Sequence, residues 1–82
     1  MDKLSPNGRK TYRLTLLREI YESYFKNNGE AYSTTVNKDE DFEKYYALQY
    51  LISKNYITRN SNVGYDDYSL SITFEGIDLV EN

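Results

Sequence analysis

The sequence contains no Cys and no His, and that absence decides most of the chemistry open to it. Disulfides, thiolate nucleophiles, the usual zinc sites and a His general base are excluded. What remains is carboxylates, amines, guanidiniums and ten tyrosines. The densest acidic group is Asp39, Glu40, Asp41 and Glu43. Asn37-x-Asp39-x-Asp41 opens like a calcium loop, which then needs Gly at its sixth position and Glu at its twelfth. Phe42 and Leu48 stand there instead, so the calcium reading fails. The sequence shows no Gly-rich phosphate loop, nucleophile elbow or Ser-Lys arrangement. The expectation is a non-enzymatic protein with no cofactor and no metal.

Binding chemistry is better represented. Net charge is −3 and the pI about 4.8, an average that argues against a nucleic-acid binder. The average conceals a division. Residues 1–18 carry Lys3, Arg9, Lys10, Arg13 and Arg18 against Asp2 alone, a net of +4. Residues 19–82 carry five basic groups against twelve acids, a net of −7. The basic head is either a phosphate-binding arm or the solvated face of a first helix. Arg9, Lys10 and Arg13, assisted by Arg59, are the candidate phosphate contacts, and Tyr12 beside them could stack on an unpaired base. A second candidate surface is negative and aromatic. It comprises Tyr46 and Tyr50, with Tyr65, Asp66, Asp67 and Tyr68, and Tyr suits an interface because it buries area while keeping a hydroxyl.

These residues must be positioned by a single small domain, since 82 residues allow one modest core. Aromatics at 16% are too many for a disordered chain. Residues 1–8 read as an N-terminal arm leading into a helix, with Ser5 as N-cap and Pro6 at the first helical position. That helix runs to about 26 with Leu14, Leu17, Tyr21, Tyr24 and Phe25 on its buried face, joined by Leu16 and Ile20. Asn27-Asn28-Gly29 stops it in the left-handed conformation. Residues 30–36 are β-prone and suit a short strand. A second helix is expected over about 39–54, capped by Asn37 or Asp39, with its acids in the first turn and Phe42, Tyr45, Leu48 and Ile52 as the core stripe. Asn55 caps it. Tyr56, Ile57 and Thr58 start a strand, residues 60–64 turn, and Tyr68, Leu70, Ile72 and Phe74 alternate as the return strand. Thr73 then caps a short last helix carrying Ile77, Leu79 and Val80.

Two segments carry a more specific likeness. Leu51-Ile52-Ser53-Lys54-Asn55-Tyr56-Ile57 resembles the hinge between the last helix and the wing of many winged-helix proteins, with Asn55 where the hinge usually has Gly. Ile72-Thr73-Phe74-Glu75-Gly76-Ile77 resembles the ending that closes the wing and opens a final helix. Together they resemble the small YjcQ-type winged-helix proteins of bacterial and prophage genomes and, more distantly, MarR- and PadR-type regulators. The resemblance covers roughly residues 48–82. It implies an α+β winged-helix-like domain with two main helices, a two-stranded β-ribbon with a possible third short strand, and a short C-terminal helix. The winged-helix class also places a short helix between its first and recognition helices, and here only residues 30–38 are available for it.

Two functions follow as expectations. In the first, a small regulator or mobile-element accessory protein binds DNA through its arm and first helix. A groove-reading second helix is disfavoured, because its leading acids would face phosphates. In the second, an acidic, tyrosine-rich adaptor or inhibitor binds a protein partner and has lost DNA binding. A homodimer through the terminal helix fits either. No apolar run is long enough for a signal peptide or a membrane span, so the expected location is the cytoplasm, without membrane contact.

Overall fold

The computed structural model describes residues 4–60 and 64–82. Among them the order of elements is α1 (Pro6–Lys26), β1 (Tyr32–Thr35), α2 (Phe42–Ser53), β2 (Ile57–Arg59), β3 (Asp67–Ile72) and α3 (Phe74–Glu81). Lys3 and positions 61–63 of the expected 60–64 turn lie outside the described residues.

Local chemistry accounts for the helix ends. The Ser5 hydroxyl accepts from the Gly8 amide at 3.0 Å and Pro6 occupies the first turn, the expected cap and helix start. At its other end Asn28 and Gly29 adopt φ of 56° and 86°, and the Gly29 amide returns to the Tyr24 carbonyl at 2.7 Å. The end of α2 repeats the device. Asn55 sits at φ 62°, its amide donates to Ile52 and the next amide, Tyr56, donates to Leu51, a closed Schellman pair.

The start of α2 departs from expectation. Asn37 Oδ1 accepts from the amides of Asp39 and Glu40 at 2.9 and 3.1 Å, which closes a turn of its own. Asp41 is the cap, accepting from the Lys44 amide at 3.2 Å, and the helix begins at Phe42. Asp39 and Glu40 therefore precede the helix, and only Glu43 is an acid of its first turn. Where a winged helix inserts its middle helix, this chain has β1 followed by that single turn.

The three strands form an antiparallel sheet in the order β1-β3-β2. Tyr32 faces Leu70 and Thr35 faces Asp67, while Ile57 faces Ile72 and Arg59 faces Leu70. In central β3, Tyr68, Leu70 and Ile72 point inward with the two-residue alternation of a half-buried strand. They meet Leu16, Leu17 and Ile20 of α1 and Ala47, Leu48 and Leu51 of α2 in one core with Val36 and Ile57.

Three expected core positions are corrected. Phe42 is 56% exposed, because α2 turns Ala47, Leu48 and Leu51 inward, about a quarter turn from the expected stripe at 100° per residue. Phe25 is also exposed, although it packs against Tyr21 and Tyr24 with ring centroids 4.9 and 5.2 Å away. Phe74 leaves the strand alternation, since Thr73 caps α3 and turns Phe74 outward. The described residues form three helices and three strands in an α+β arrangement with a winged-helix-like layout.

Candidate nucleic-acid interface

The inward turn of Ala47, Leu48 and Leu51 fixes what α2 shows to solvent. Phe42, Tyr46 and Tyr50 recur every four residues and form a row along its outer side. Successive ring centroids lie 6.4 Å apart, with Phe42 and Tyr46 within 25° of parallel. Tyr46 is 39% exposed, whereas Tyr50 is half-buried against the core. The first turns of α1 run alongside this row.

Each predicted basic residue has a definite place. Arg9 is committed. Its Nε and Nη2 donate to the two carboxylate oxygens of Glu43 at 2.9 and 3.0 Å, a bidentate fork joining the starts of α1 and α2. The bond to Glu43 raises the Arg9 pKa further above its ordinary value. Arg9 is thus a structural cation rather than an open phosphate contact. Arg13 lays its guanidinium over the Tyr50 ring, 4.0 Å from the centroid. Lys54 Nζ approaches the same ring at 5.8 Å, at the C-terminal end of α2 where the helix dipole favours a cation. Lys10 is exposed and joins Arg13 around a cleft of about 210 Å³ floored by Leu14, Tyr50, Leu51, Tyr56 and Leu79. Arg13 and Lys54 therefore approach one aromatic ring, and Lys10 lines the cleft beside it.

Arg59 does not join them. Its Nη2 donates to the carbonyls of Tyr65 and Asp67 at 3.2 and 2.9 Å, and its guanidinium covers the Tyr68 ring at 3.9 Å. It braces the hairpin and lines a separate cleft of about 350 Å³ with Lys38, Tyr45, Gln49 and Asp66. Tyr12 is corrected as well. It packs on the core flank, where burial raises its pKa, and the charges that act on it are Asp41, Glu19 and Glu43.

The residues proposed for a protein surface separate in the same way. Tyr68 is buried, 4% exposed, and its hydroxyl accepts from Gln49 Nε2 at 3.0 Å, so it belongs to the core. Asp66 accepts from Asn37 Nδ2 at 3.4 Å and Asp67 from Thr35 Oγ1 at 3.1 Å, each tying the hairpin to the β1 side. Tyr65 stands out at 93% exposure. Tyr46 lies in the outer row, and Tyr50 sits under the basic cluster rather than in an acidic surface.

Sequence reading missed Phe42 and Lys54. Their signal is the four-residue spacing 42, 46, 50 and 54, which the bulk of Phe42 hides by suiting it to the core. A guanidinium stacked on a ring keeps its in-plane N–H donors for an oxyanion, and amines beside it add charge. The arrangement can hold phosphate next to exposed aromatic faces. No group of three His, Cys, Asp or Glu among the described residues could hold a metal ion. No helix among them is long and apolar enough to cross a membrane. Compared with known proteins, the chain matches no family model, no curated protein and no solved structure.

Proposed function

We propose that this chain is a non-enzymatic nucleic-acid-binding regulator or accessory protein of the cytoplasm, of the YjcQ-type winged-helix kind and suited to a phage or mobile element. It binds through the α1–α2 face. The observation that carries this reading is the convergence of Lys10, Arg13 and Lys54 around Tyr50. Groove reading by α2 is not part of it. Asp39, Glu40 and Asp41 lead into that helix, and β1 stands where a helix-turn-helix needs its middle helix. Contact is through phosphate and ring faces, and it tolerates many sequences.

The test is fluorescence anisotropy of labelled DNA at about 50 and 200 mM salt, the range over which phosphate contacts weaken steeply. Lys10→Glu with Arg13→Glu should weaken binding to all sequences alike and reduce the salt slope by about two. An unchanged slope would make these cations a merely solvated face. The second reading is a protein adaptor, and the near-complete exposure of Tyr65 favours it. Absence of any binding at low salt would leave that reading in place.

A further inference from the structure

We propose that the polymer taken by the α1–α2 face is single-stranded, its bases stacking on the rings of Phe42 and Tyr46. This rests on the nucleic-acid reading above and names the substrate class for the same face. Phe42 and Tyr46 are 56% and 39% exposed. Their rings stack as neighbours in a row, within 25° of parallel, and each leaves apolar ring surface exposed to solvent. A closed duplex has no use for such faces, because its bases are stacked on each other and only their edges are open. An unpaired base has two free faces, and stacking on aromatic side chains is how sequence-tolerant single-strand binders hold it.

Charge selects the same occupant. Lys10, Arg13 and Lys54 lie at the Tyr50 end of the row, and the acid within the row, Glu43, is bridged to Arg9. Arg13 holds its guanidinium over the Tyr50 ring, 4.0 Å from the centroid, which places its charge at that end of the row. Asp39, Glu40 and Asp41 precede Phe42 and bound the track at the opposite end, where a phosphate would be repelled. From residue 42 to 50 the helix advances roughly 12 Å, room for only a few nucleotides. The site is short and its affinity correspondingly modest.

The experiment compares three labelled probes at low salt: an oligo(dT) of about 12 nucleotides, within the site sizes single-strand binders use, an abasic oligomer of the same length, and a duplex. The wild-type protein should bind oligo(dT) at least about tenfold more tightly than the abasic strand, the loss expected when base stacking is removed. It should also prefer oligo(dT) to the duplex. Phe42→Ala with Tyr46→Ala should remove that preference while leaving the salt slope unchanged. Both rings are exposed, so thermal unfolding of this variant should match the wild type. The abasic comparison needs no variant and holds even if the double alanine unfolds. Equal binding of oligo(dT) and the abasic strand, or tighter binding of the duplex, would overturn the stacking track while leaving phosphate binding by the same face intact. No binding of any probe would overturn both.

Discussion

Thr73 and Gly76 show how single residues lock the two halves of the wing together. The Thr73 amide donates to the Tyr56 carbonyl at 3.0 Å and its hydroxyl to the Asn55 carbonyl at 2.6 Å. The same hydroxyl oxygen accepts the Gly76 amide at 3.0 Å, capping α3. A Cβ at Gly76 would overlap the Tyr56 carbonyl oxygen and stand 2.8 Å from Ile72 Cγ1. The hinge at 51–57 and the ending at 72–77 therefore form one interlocked unit. Gly76→Ala should destabilise the fold by about 1–3 kcal/mol, because overpacking against fixed backbone exceeds the gain in helix propensity of about 1 kcal/mol. A urea midpoint equal to that of the wild type would refute the close packing. The Thr73 cap was legible from its place before a short apolar helix. The need for Gly at 76 was not, since it arises from a carbonyl twenty residues earlier in the chain.

At the scale of elements, tyrosines dock α1 onto the sheet and onto α3. Tyr12 and Tyr32 are half-buried where α1 meets β1, and burial raises both phenol pKa values above their ordinary level. The Tyr21 hydroxyl donates to Glu81 of α3 at 2.7 Å, and that bond, more than desolvation, raises its pKa too. A group whose folded pKa is raised contributes stability that is full below its unfolded pKa, about 10 for Tyr, and is lost as pH rises through the folded value. Stability should therefore hold to about pH 9 and fall beyond about pH 10, as the phenols of these docked elements ionise. Tyr12→Phe with Tyr32→Phe should flatten that fall in urea titrations taken across the alkaline range. An identical alkaline profile would show that these rings do not carry the docking. The element ends were legible because Ser5, Pro6, Asn28, Asn55 and Thr73 act on backbone within a few residues. The inward face of α2 was not. Ala47 is too small to announce itself as core, and the bulk of Phe42 drew the stripe towards the wrong side.

Over the whole molecule, an acidic chain with a net charge of −3 keeps a basic aromatic face by pairing the acid beside that face, Glu43, with Arg9. No local pattern reveals this, since Arg9 and Glu43 lie 34 residues apart in the chain. Their side chains are 34% and 26% exposed, so solvent screens the pair and it adds little to stability. Its position matters more than its strength. Glu43 also accepts the Leu4 amide at 3.3 Å, and it stands between the ring row and the start of α1. Glu43→Gln should leave the urea midpoint close to that of the wild type, because a screened pair is lost but an acceptor is kept. The same change removes a negative charge from the binding face and releases the Arg9 guanidinium. Affinity for single-stranded DNA should rise severalfold at low salt, and the salt slope should grow by about one. Arg9→Gln should cost similar stability and act in the opposite sense on binding, since it takes the guanidinium from beside Glu43. Measuring the two variants side by side separates the roles. If both changed stability alone, with no opposite shifts in affinity, the fork would be a joint between helices and the α1–α2 face would lose its electrostatic rationale.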